Sequence, residues 1–334
     1  MPVNYIILAH RQPQQLCRLV QALSTANSRF YIHIDSKVDL APFEAALAGH
    51  PAVEFLRHPN RCAAAWGDVT IVQAVINAMR QALQEGRQGH VVLLSGQDYP
   101  LRHKNEIEDF FASHQHVDFM TCFPLPFKGW SENGGMERIT HYKINRSTQK
   151  YDYMLFPSVY ELSFNWKKCI QQLRAFPLNK RFYILSLILK KRKFPNYAQL
   201  MGGAQWWALT TVTCQRILQF LQQHPGYLKY QQHSLIPDEF FFQSILHSLP
   251  PVLPIKQMLT YVNWERVEEE LPVTFATADF KELRQQTNFL FARKFDMDVD
   301  AQILDLLDSH AAAAYEGSSF LKNNRQNANT GVQS

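Results

Sequence analysis

The run Val3-Asn4-Tyr5-Ile6-Ile7-Leu8-Ala9 is short and almost wholly apolar, which predicts a buried β-strand. The next segment, Gln14–Leu23, repeats apolar residues at helical spacing, and Arg29–Asp35 returns to a strand pattern. The alternation continues with helices predicted at Phe43–Leu47 and Val69–Leu83 and strands at Val53–Leu56, His90–Leu94 and Asp118–Cys122. Strands that alternate with helices predict an α/β fold, with a mainly parallel sheet and helices on both faces.

Polar turns follow three of the predicted strands. They read Ala9-His10-Arg11, His33-Ile34-Asp35-Ser36-Lys37 and Ser95-Gly96-Gln97-Asp98-Tyr99-Pro100. Ligands of open α/β sheets bind beyond the carboxyl ends of the strands. The three turns are therefore predicted to converge at one crevice.

The second half of the chain is less regular in pattern. A helix is predicted near Cys214–Gln223, another after Pro237, a strand within Val252–Val262 and a terminal helix near Ala301–Tyr315. No internal repeat and no clear linker divides the chain, so residues 1–320 are predicted to form a single domain. Residues 321–334 are rich in Asn, Gln and Ser and are predicted to be a disordered tail.

Composition limits the classes of function. The 334 residues are 46% hydrophobic and 19% charged, with a net charge of +5, which is a globular composition. This mild basicity suits an anionic ligand or an anionic membrane surface, but no basic motif with interleaved aromatics indicates nucleic acid. No apolar run is long enough to span a bilayer or to form a signal peptide. Five scattered cysteines without a C-x-x-C favour a reducing compartment, so a soluble, cytoplasmic protein is expected.

Common enzyme signatures are missing from the sequence. It contains no G-x-S-x-G and no H-E-x-x-H, so neither a hydrolase triad nor a zincin site is supported. The first predicted strand is not followed by G-x-G-x-x-G, which argues against a dehydrogenase.

The tripeptide Pro237-Asp238-Glu239 precedes an apolar run at helical spacing. Proline suits the first turn of a helix, and acids suit the positive end of the helix dipole. Glu239 is therefore predicted to be either a catalytic base held on a rigid element or simply part of a helix start. Asp238 is interpreted as the capping or structural partner of the pair.

Three acidic motifs are candidates for a nucleotide or metal site. Asp35 ends a strand, where an acid could accept hydrogen bonds from a ribose or a base, or could cap the strand. Asp98 lies in the turn after Ser95, but Gly96 occupies the partner position of a D-x-D motif. The run Asp296-Met297-Asp298-Val299-Asp300 does contain D-x-D, and it is interpreted as the acidic first turn of the terminal helix.

Aromatic and basic residues suggest binding roles. Trp206 and Trp207 follow small residues; one indole is expected in the core and the other in a sugar-binding site, for which Trp264 is a further candidate. Arg293-Lys294 lies between phenylalanines and could hold a phosphate leaving group or form an exposed turn. The segment Lys180–Lys193 is interpreted as a core helix with solvated ends, with weak contact to an anionic membrane surface as the alternative.

In their order, these motifs resemble the family of core-2/I-branching β-1,6-N-acetylglucosaminyltransferases and peptide O-xylosyltransferases. The resemblance runs from about Asn4 to Asp300, and the chain looks like a bacterial-type, soluble member of the family. It rests on Tyr5–Arg11, Ile32–Lys37, Ala65-Trp66-Gly67, Leu93–Leu101, Gly202–Thr210, Pro237-Asp238-Glu239 and Phe291–Asp300.

The resemblance implies a GT-A type fold and an inverting transfer from a UDP-sugar without a metal or other cofactor. It implies that Glu239 is the catalytic base and that Lys294 holds the donor diphosphate. The implied nucleotide side consists of Asp35 and the turn Ser95–Asp98, which includes Gly96, and the implied acceptor side consists of Glu137, Arg138 and Trp264.

Two departures from the family pattern stand out. Val273 occupies the position of an arginine that accompanies the lysine on the diphosphate, so Arg293 or Arg284 would have to compensate. The membrane anchor and cysteine framework of secretory-pathway members are also missing.

The sequence thus predicts a metal-independent, inverting glycosyltransferase. It would move N-acetylglucosamine or xylose to a glycan or protein hydroxyl, as in polysaccharide biosynthesis. One carboxylate would take the proton of the attacking hydroxyl, and positive charge would stabilise the departing UDP. The alternative is a non-catalytic nucleotide-sugar or glycan binding protein with the same fold. A location at the inner face of the membrane is also considered, through Lys180–Lys193.

Overall fold

A computed structural model describes residues 1–131, 133–147, 149–266 and 268–330, with side chains described as far as Gly317. Fourteen strands are present in this part of the chain. They are β1 (Val3–Ala9), β2 (Ser28–Ile34), β3 (Val53–Phe55), β4 (His90–Ser95), β5 (Asp98–Pro100), β6 (Asp118–Met120), β7 (Phe123–Pro124), β8 (Tyr142–Asn145), β9 (Tyr153–Phe156), β10 (Met201–Gly202), β11 (Trp207–Thr210), β12 (Ile255–Lys256), β13 (Thr260–Val262) and β14 (Phe291–Arg293).

Twelve α-helices connect and cover these strands in the described residues. They are α1 (Pro13–Leu23), α2 (Ala41–Ala46), α3 (Val69–Gln84), α4 (Lys104–Ser113), α5 (Glu137–Thr140), α6 (Trp166–Leu173), α7 (Leu178–Ile188), α8 (Thr211–Gln223), α9 (Pro225–Tyr230), α10 (Phe241–Ser248), α11 (Phe280–Arg284) and α12 (Gln302–Thr330). Short 3₁₀ turns occur at Gln231–His233, Pro237–Glu239 and Thr277–Asp279.

The main sheet has seven strands in the order β12-β6-β11-β4-β1-β2-β3. β1 pairs in parallel with both β2 and β4, and β2 pairs in parallel with β3. Only β11 runs against its neighbours, β4 and β6. The predicted mainly parallel sheet is therefore confirmed. Because β2 and β4 lie on opposite sides of β1, the strand order reverses at β1, which is where such sheets form a ligand crevice.

Side-chain alternation along β1 divides the interior into two cores. Tyr5 and Ile7 pack with α1 on one face, while Ile6 packs with α3 on the other. Successive side chains of a strand point to opposite faces, so an almost wholly apolar strand needs helices on both sides. The predicted two-sided covering is confirmed.

A smaller core lies outside the main sheet. The antiparallel hairpin of β8 and β9 packs against α6 and α7 through buried residues that include Phe156, Ile184 and Ile188. The turn of this hairpin joins Asn145 to Tyr153. A separate three-stranded sheet consists of β13, β14 and β5. Because β14 pairs with β5, the residues at the end of β14 lie next to the carboxyl end of β4.

Some predicted boundaries differ from the structure. The strand predicted within Val252–Val262 is two short strands, β12 and β13, which belong to different sheets. The terminal helix α12 continues to Thr330, and residues 331–334 lie outside the described residues. The division into a domain of 1–320 and a tail of 321–334 remains a prediction. Within the described residues, no helix combines the length and apolarity needed to cross a bilayer.

The burial of α1 predicts a large effect of a core truncation. Leu19 is fully buried between α1 and the sheet, whereas Leu162 is fully exposed in a turn. We expect Leu19→Ala to lower the free energy of unfolding by about 2–5 kcal/mol, because the substitution leaves a cavity. The matched change Leu162→Ala should alter it by less than about 0.5 kcal/mol. Urea unfolding of both variants measures the difference, and equal midpoints would contradict the packing described.

Candidate active site

A cavity of about 490 Å³ opens at the carboxyl ends of β1, β2 and β4. The polar turns that follow these strands contribute His10 and Arg11, Asp35 and Lys37, and Ser95 to Gln97 to its lining. The predicted convergence of the three turns is thus observed. The cavity also receives residues from the far end of the chain, because β14 pairs with β5 next to the third turn.

Asp35 is a buried acid at the mouth of β2. One of its carboxylate oxygens accepts a hydrogen bond from the backbone N–H of Lys37 at 2.9 Å, and the other lies 3.3 Å from Lys37 Nζ. The carboxylate is therefore held in place at the edge of the cavity. An ionised carboxylate only accepts hydrogen bonds, so it can receive them from ligand hydroxyl or imide groups.

The turn after β4 is held from below by a buried carboxylate. Asp98 is fully buried and accepts hydrogen bonds from the Ser95 backbone N–H and hydroxyl, both at 2.8 Å. Arg293 donates to the same carboxylate at 2.9 Å and also to Ser95 Oγ. Burial raises the pKa of Asp98, and Arg293 opposes that rise. Asp98 does not line the cavity; it positions Ser95 and Arg293, which do.

Gly96 lets two strand ends approach each other closely. A Cβ at this position would lie 3.0 Å from Ala9 Cβ, and the Gly96 carbonyl accepts a hydrogen bond from Gln15 Nε2 at 2.9 Å. A larger residue would push the turn away from β1. Gly96 therefore keeps the cavity wall close to the sheet.

Three long cationic side chains face the same part of the cavity. Arg293 lies over the Trp206 ring at 4.7 Å, and Lys294 Nζ lies 3.6 Å from a carboxylate oxygen of Glu270. Lys150 reaches in from the turn between β8 and β9, with its Nζ 4.6 Å from the ring centre of Tyr151. Burial lowers the pKa of Lys294, and the charges of Lys150 and Arg293 lower it further.

Lys150 was not identified from the sequence. It belongs to a polar surface turn, and no local pattern distinguishes it from other exposed lysines. Only the folding of the β8–β9 hairpin over the main sheet brings it to the cavity. The only signal in the sequence is aromatic: Trp66 and Tyr151, whose rings are 4.4 Å apart, both lie beside the Lys150 side chain in the structure.

The three candidate tryptophans occupy different environments. Trp206 lines the cavity beneath Arg293, while Trp207 is buried in the core against Phe242, with ring centres 5.5 Å apart. Adjacent residues point to opposite sides of an extended segment, so only one of the pair can face a ligand. Trp207 is therefore the core indole of the pair, and of the two candidates for substrate binding only Trp206 faces the cavity. Trp264 is exposed and does not line the cavity.

The turn Pro237–Glu239 is fixed by three backbone hydrogen bonds. Ile236, in a left-handed conformation with φ 53°, donates to the Gly67 carbonyl at 3.0 Å, and Glu239 donates to the Ile236 carbonyl at 3.3 Å. The Glu239 carbonyl accepts from the Gly203 backbone N–H at 2.8 Å. The motifs around Gly67, Gly203 and Glu239, which are far apart in sequence, are therefore in direct contact.

This turn is not the first turn of a helix. Pro237–Glu239 is a separate 3₁₀ turn, and α10 begins at Phe241, with no side chain capping its N-terminus. The expectation that Asp238 caps a helix is therefore wrong. The helix dipole also falls off within the first turn, so it is not the main influence on Glu239.

A guanidinium, rather than the helix dipole, accompanies Glu239. Arg138 of α5 forms a salt bridge with the Glu239 carboxylate and lies over the Trp130 ring at 4.0 Å. Burial raises the pKa of Glu239, and the charge and hydrogen bond of Arg138 counter that rise. Glu137, the residue before Arg138, instead accepts a hydrogen bond from Ser131 at 2.7 Å.

Glu137 lines a second, smaller cleft. This cleft has a volume of about 400 Å³ and is formed with His141, Tyr153 and Lys168. Glu137 and Arg138 thus point to different sides of α5. Only Arg138 is coupled to Glu239.

Asp238 is the acid of the tripeptide that lines the cavity. One of its carboxylate oxygens is buried without a hydrogen-bond partner in the described residues. Burial, followed by the nearby charge of Glu239, raises the pKa of Asp238 to about 7. The side chain can therefore exchange a proton near neutral pH, a property that the tripeptide pattern alone did not reveal.

The structure distinguishes the two arginines considered as replacements for Val273. Val273 is fully buried in the main core, and Arg284 lies on α11 beside Phe280, away from the cavity lining. Arg293 lines the cavity. Arg293 rather than Arg284 is therefore positioned to compensate, together with Lys150.

The acidic run at residues 296–300 has structural roles. Asp300 accepts hydrogen bonds from the backbone N–H groups of Gln302 and Ile303, which caps α12 as expected. Asp296 forms a salt bridge with Arg11 at 2.8 Å. Among the residues that the structure describes, no three His, Cys, Asp or Glu side chains are grouped so that they could hold a metal ion.

Another cleft, of about 530 Å³, lies between α1 and α12. Its charged groups are already paired, because Arg18 donates to Asp305 at 2.6 Å and to Asp308 at 2.7 Å, and Tyr99 donates to Asp308 at 2.8 Å. This cleft offers few unpaired polar groups to a ligand. The cavity beyond β1, β2 and β4 is therefore the stronger candidate.

Comparison with known proteins agrees with the fold. Residues 3–286 match the sequence model of the family described as "Core-2/I-Branching enzyme". The chain is 23% identical over 332 residues to "Xylosyltransferase 2" of Homo sapiens, covering 94% of this chain and 34% of that protein. It is 20% identical over 323 residues to "Xylosyltransferase" of Ciona intestinalis, covering 92% and 34%. The chain thus spans about a third of the length of these relatives.

The buried carboxyl of Asp238 predicts a pH-dependent stability. In the unfolded chain this group loses its proton near its ordinary pKa of 3.8, whereas in the folded protein it keeps the proton up to about pH 7. The folded state binds more protons between these values, so its stability falls as pH rises through this window. Asp238→Asn lacks this titrating group. The free energy of unfolding of the variant minus that of wild type should therefore increase from pH 4 to pH 8, by on the order of 3 kcal/mol.

Urea midpoints measured across this range for wild type and Asp238→Asn test the prediction. The exposed carboxylate of Asp109, on α4, provides the control variant Asp109→Asn, which should follow wild type. Parallel pH profiles for wild type and Asp238→Asn would contradict the assignment.

Proposed function

Because this chain belongs to the core-2/I-branching enzyme family, a glycosyltransferase family with a GT-A-like fold, we propose that it transfers a sugar from a UDP-sugar to a hydroxyl of a glycan or protein. The transfer inverts the anomeric carbon and requires no metal. The observation that carries the proposal is a single cavity lined by Asp238 and by three cations, Arg293, Lys294 and Lys150, next to a partly exposed Glu239 that is paired with Arg138. The acids suit proton removal, and the cations suit a departing diphosphate.

Glu239 is the proposed catalytic base. An inverting transfer needs one carboxylate to accept the proton of the attacking hydroxyl. Arg138 keeps that carboxylate ionised and oriented, while burial raises its pKa and so its affinity for a proton. Opposed influences of this kind are typical of a carboxylate that must bind a proton during catalysis. Asp238, with a pKa of about 7, provides a second ionisable group on the cavity wall.

The cations take the role that a divalent metal plays in many sugar transfers. Arg293, Lys294 and Lys150 all line the cavity, and Arg293 is fixed by Asp98 and Ser95. Positive charge that is already in place where negative charge develops stabilises the departing UDP. Burial is the largest cause of the lowered pKa of Lys294, and the charges of Lys150 and Arg293 add to it, while Glu270 opposes the shift. An incoming diphosphate would relieve the repulsion among the three cations.

The same arrangement indicates where the nucleoside and the sugar of the donor would bind. Asp35 and the turn from Ser95 supply oriented acceptors and donors for the uridine, and Trp206 supplies an aromatic face backed by Arg293. The acceptor binds on the side of Arg138, which pairs with Glu239; Glu137, in the second cleft, and the exposed Trp264 are further candidate contacts. The donor sugar is N-acetylglucosamine or xylose; the curated relatives bear the name xylosyltransferase.

A non-catalytic nucleotide-sugar or glycan binding protein is the second candidate. It is favoured by Val273, which is an apolar core residue where the family pattern has a phosphate-binding arginine. Calorimetry that detects UDP binding, with no turnover of any UDP-sugar across a wide acceptor panel, would favour this candidate. UDP release that depends on Glu239 would exclude it.

The cellular setting that we propose is a reducing, cytoplasmic one. All five cysteines are free thiols, and two of them, Cys169 and Cys214, are buried in separate places. Such thiols persist unpaired in reducing compartments.

Removal of the proposed base should abolish most of the transfer activity. We expect Glu239→Gln to reduce the rate of UDP release about 10²–10⁴-fold, because the amide cannot accept the proton. The control Glu106→Gln, on α4 and outside the cavity, should keep full activity. The assay is run with EDTA; full activity of Glu239→Gln would refute the base, and loss of wild-type activity with EDTA would refute the metal-free proposal.

The proposed diphosphate site predicts a specific loss of affinity. We expect Lys150→Met and Lys294→Met each to weaken UDP binding by about tenfold or more, because each removes a charge-assisted contact to phosphate. Binding of uridine, which lacks the phosphates, should be unchanged. The exposed Lys256 provides the control Lys256→Met. Calorimetric titration with both ligands measures the effect, and an equal loss for uridine would argue against a phosphate contact.

A further inference from the structure

The segment from Trp166 to Lys193, which contains α6 and α7, has an unusual charge balance. It contains nine lysines and arginines and no acidic residue. The whole chain has 34 basic and 29 acidic residues, so the remainder has 25 basic against 29 acidic. The positive net charge of the protein therefore resides in this one segment, which forms its own small core with β8 and β9.

The basic residues of this segment are not neutralised by the protein. The salt bridges formed by the described residues involve none of the nine. Lys167 and Lys168 are exposed on α6, and Lys190, Lys191 and Lys193 are exposed after α7. A concentration of exposed like charge costs free energy unless an anionic partner is present.

Arg192, unlike these five lysines, is buried. Its guanidinium is buried, donates to the carbonyl of Tyr230 at 3.0 Å and to Ser234 Oγ at 2.7 Å, and lies over the Tyr230 ring at 4.5 Å. These contacts fasten the segment to the body of the protein. The lysines on either side of Arg192 therefore face outward from a fixed backbone rather than from a loose loop.

Large apolar side chains are exposed between these cations. Leu178, Phe182 and Leu189 lie on one stripe of α7, at spacings of four and seven residues, with exposures of 65%, 64% and 55%. Trp166 and Ile170 form a second pair four residues apart on α6, with exposures of 52% and 50%. The residues that bury α7, Ile184 and Ile188, occupy a different stripe, and Leu178, Phe182 and Leu189 belong to none of the hydrophobic cores formed by the described residues.

We propose that this α6–α7 surface docks the protein on an anionic lipid bilayer. Exposed aromatic and aliphatic side chains flanked by lysines are what an interfacial helix needs, since the apolar groups enter the acyl boundary and the cations meet lipid headgroups. An acidic protein partner would require apolar pockets for each side chain, whereas a bilayer accepts them all. The sequence indicated only Lys180–Lys193 as a membrane-binding segment, and the structure adds α6 to this surface. The cationic groups of Lys180 and Arg181 do not contribute to it, because they donate to backbone carbonyls.

The position of this surface relates docking to the cavity. The strands of the β8–β9 hairpin pack against α7, and the turn of the same hairpin carries Lys150 into the cavity. Docking would therefore hold the cavity beside the bilayer. It does not depend on catalysis, so the surface can be tested independently of the proposed function.

Sedimentation of the full chain with vesicles tests the proposal. Vesicles of phosphatidylcholine with phosphatidylglycerol should bind the protein, and vesicles of phosphatidylcholine alone should bind it far more weakly. The triple variant Lys190→Glu, Lys191→Glu, Lys193→Glu should lose about a hundredfold in affinity, from roughly fivefold for each lysine. A matched charge change elsewhere, Lys229→Glu, Lys256→Glu, Lys281→Glu, should lose much less.

The apolar contribution is tested separately. The double variant Leu178→Ser, Phe182→Ser should lose about tenfold or more, whereas Val252→Ser, Val299→Ser, at exposed sites elsewhere, should bind as wild type does. Circular dichroism checks that each variant is folded. Equal binding to both vesicle types, or no binding at low salt, would overturn the proposal. Binding to a soluble anionic polysaccharide that needs the lysines but not Leu178 and Phe182 would also overturn it.

Discussion

The structure depends on the pairing of β1 with β2 on one side and β4 on the other. These pairings place three strand ends side by side, and each end is a polar turn because the apolar strand stops there. The reversal of strand order at β1 leaves a gap between the crossover connections. Every group proposed to act on the donor lies around that gap, and residues from β14 reach it only because β14 pairs with β5.

A second constraint is the placement of opposite charges around one cavity. Three cations converge where Arg293, Lys294 and Lys150 meet, and their mutual repulsion contributes to the lowered pKa of Lys294. Burial raises the pKa of both Asp238 and Glu239; the charge of Glu239 raises that of Asp238 further, and Arg138 opposes the rise at Glu239. Burial thus acts on the cations and on the acids alike, and it raises the affinity of the acids for a proton while it favours the loss of one from Lys294.

Much of the fold could be read from local patterns. The seven-residue apolar run of β1, the helical spacing of α1 and α3, and the polar turns after the strands are local signals, and the structure confirms each of them. Predictions failed where the outcome depended on distant neighbours. The turn at Pro237 is fixed by Gly67 and Gly203 rather than by α10, and Val252–Val262 is divided because its two parts find partners in different sheets.

The candidate site also has features that the sequence predicts and features that depend on tertiary contacts. The sequence by itself determined the α/β class, the two-sided covering of the sheet and the chemical nature of the candidate groups, because these follow from residue type and periodicity. Tertiary structure alone decided that Arg138 pairs with Glu239, that Asp238 rather than Glu239 lines the cavity, and that Trp206 faces it while Trp207 does not. It also decided that Lys150 joins Lys294. The physical reason is that charge, burial and pKa depend on distances between residues far apart in the chain, and only the folded backbone sets those distances.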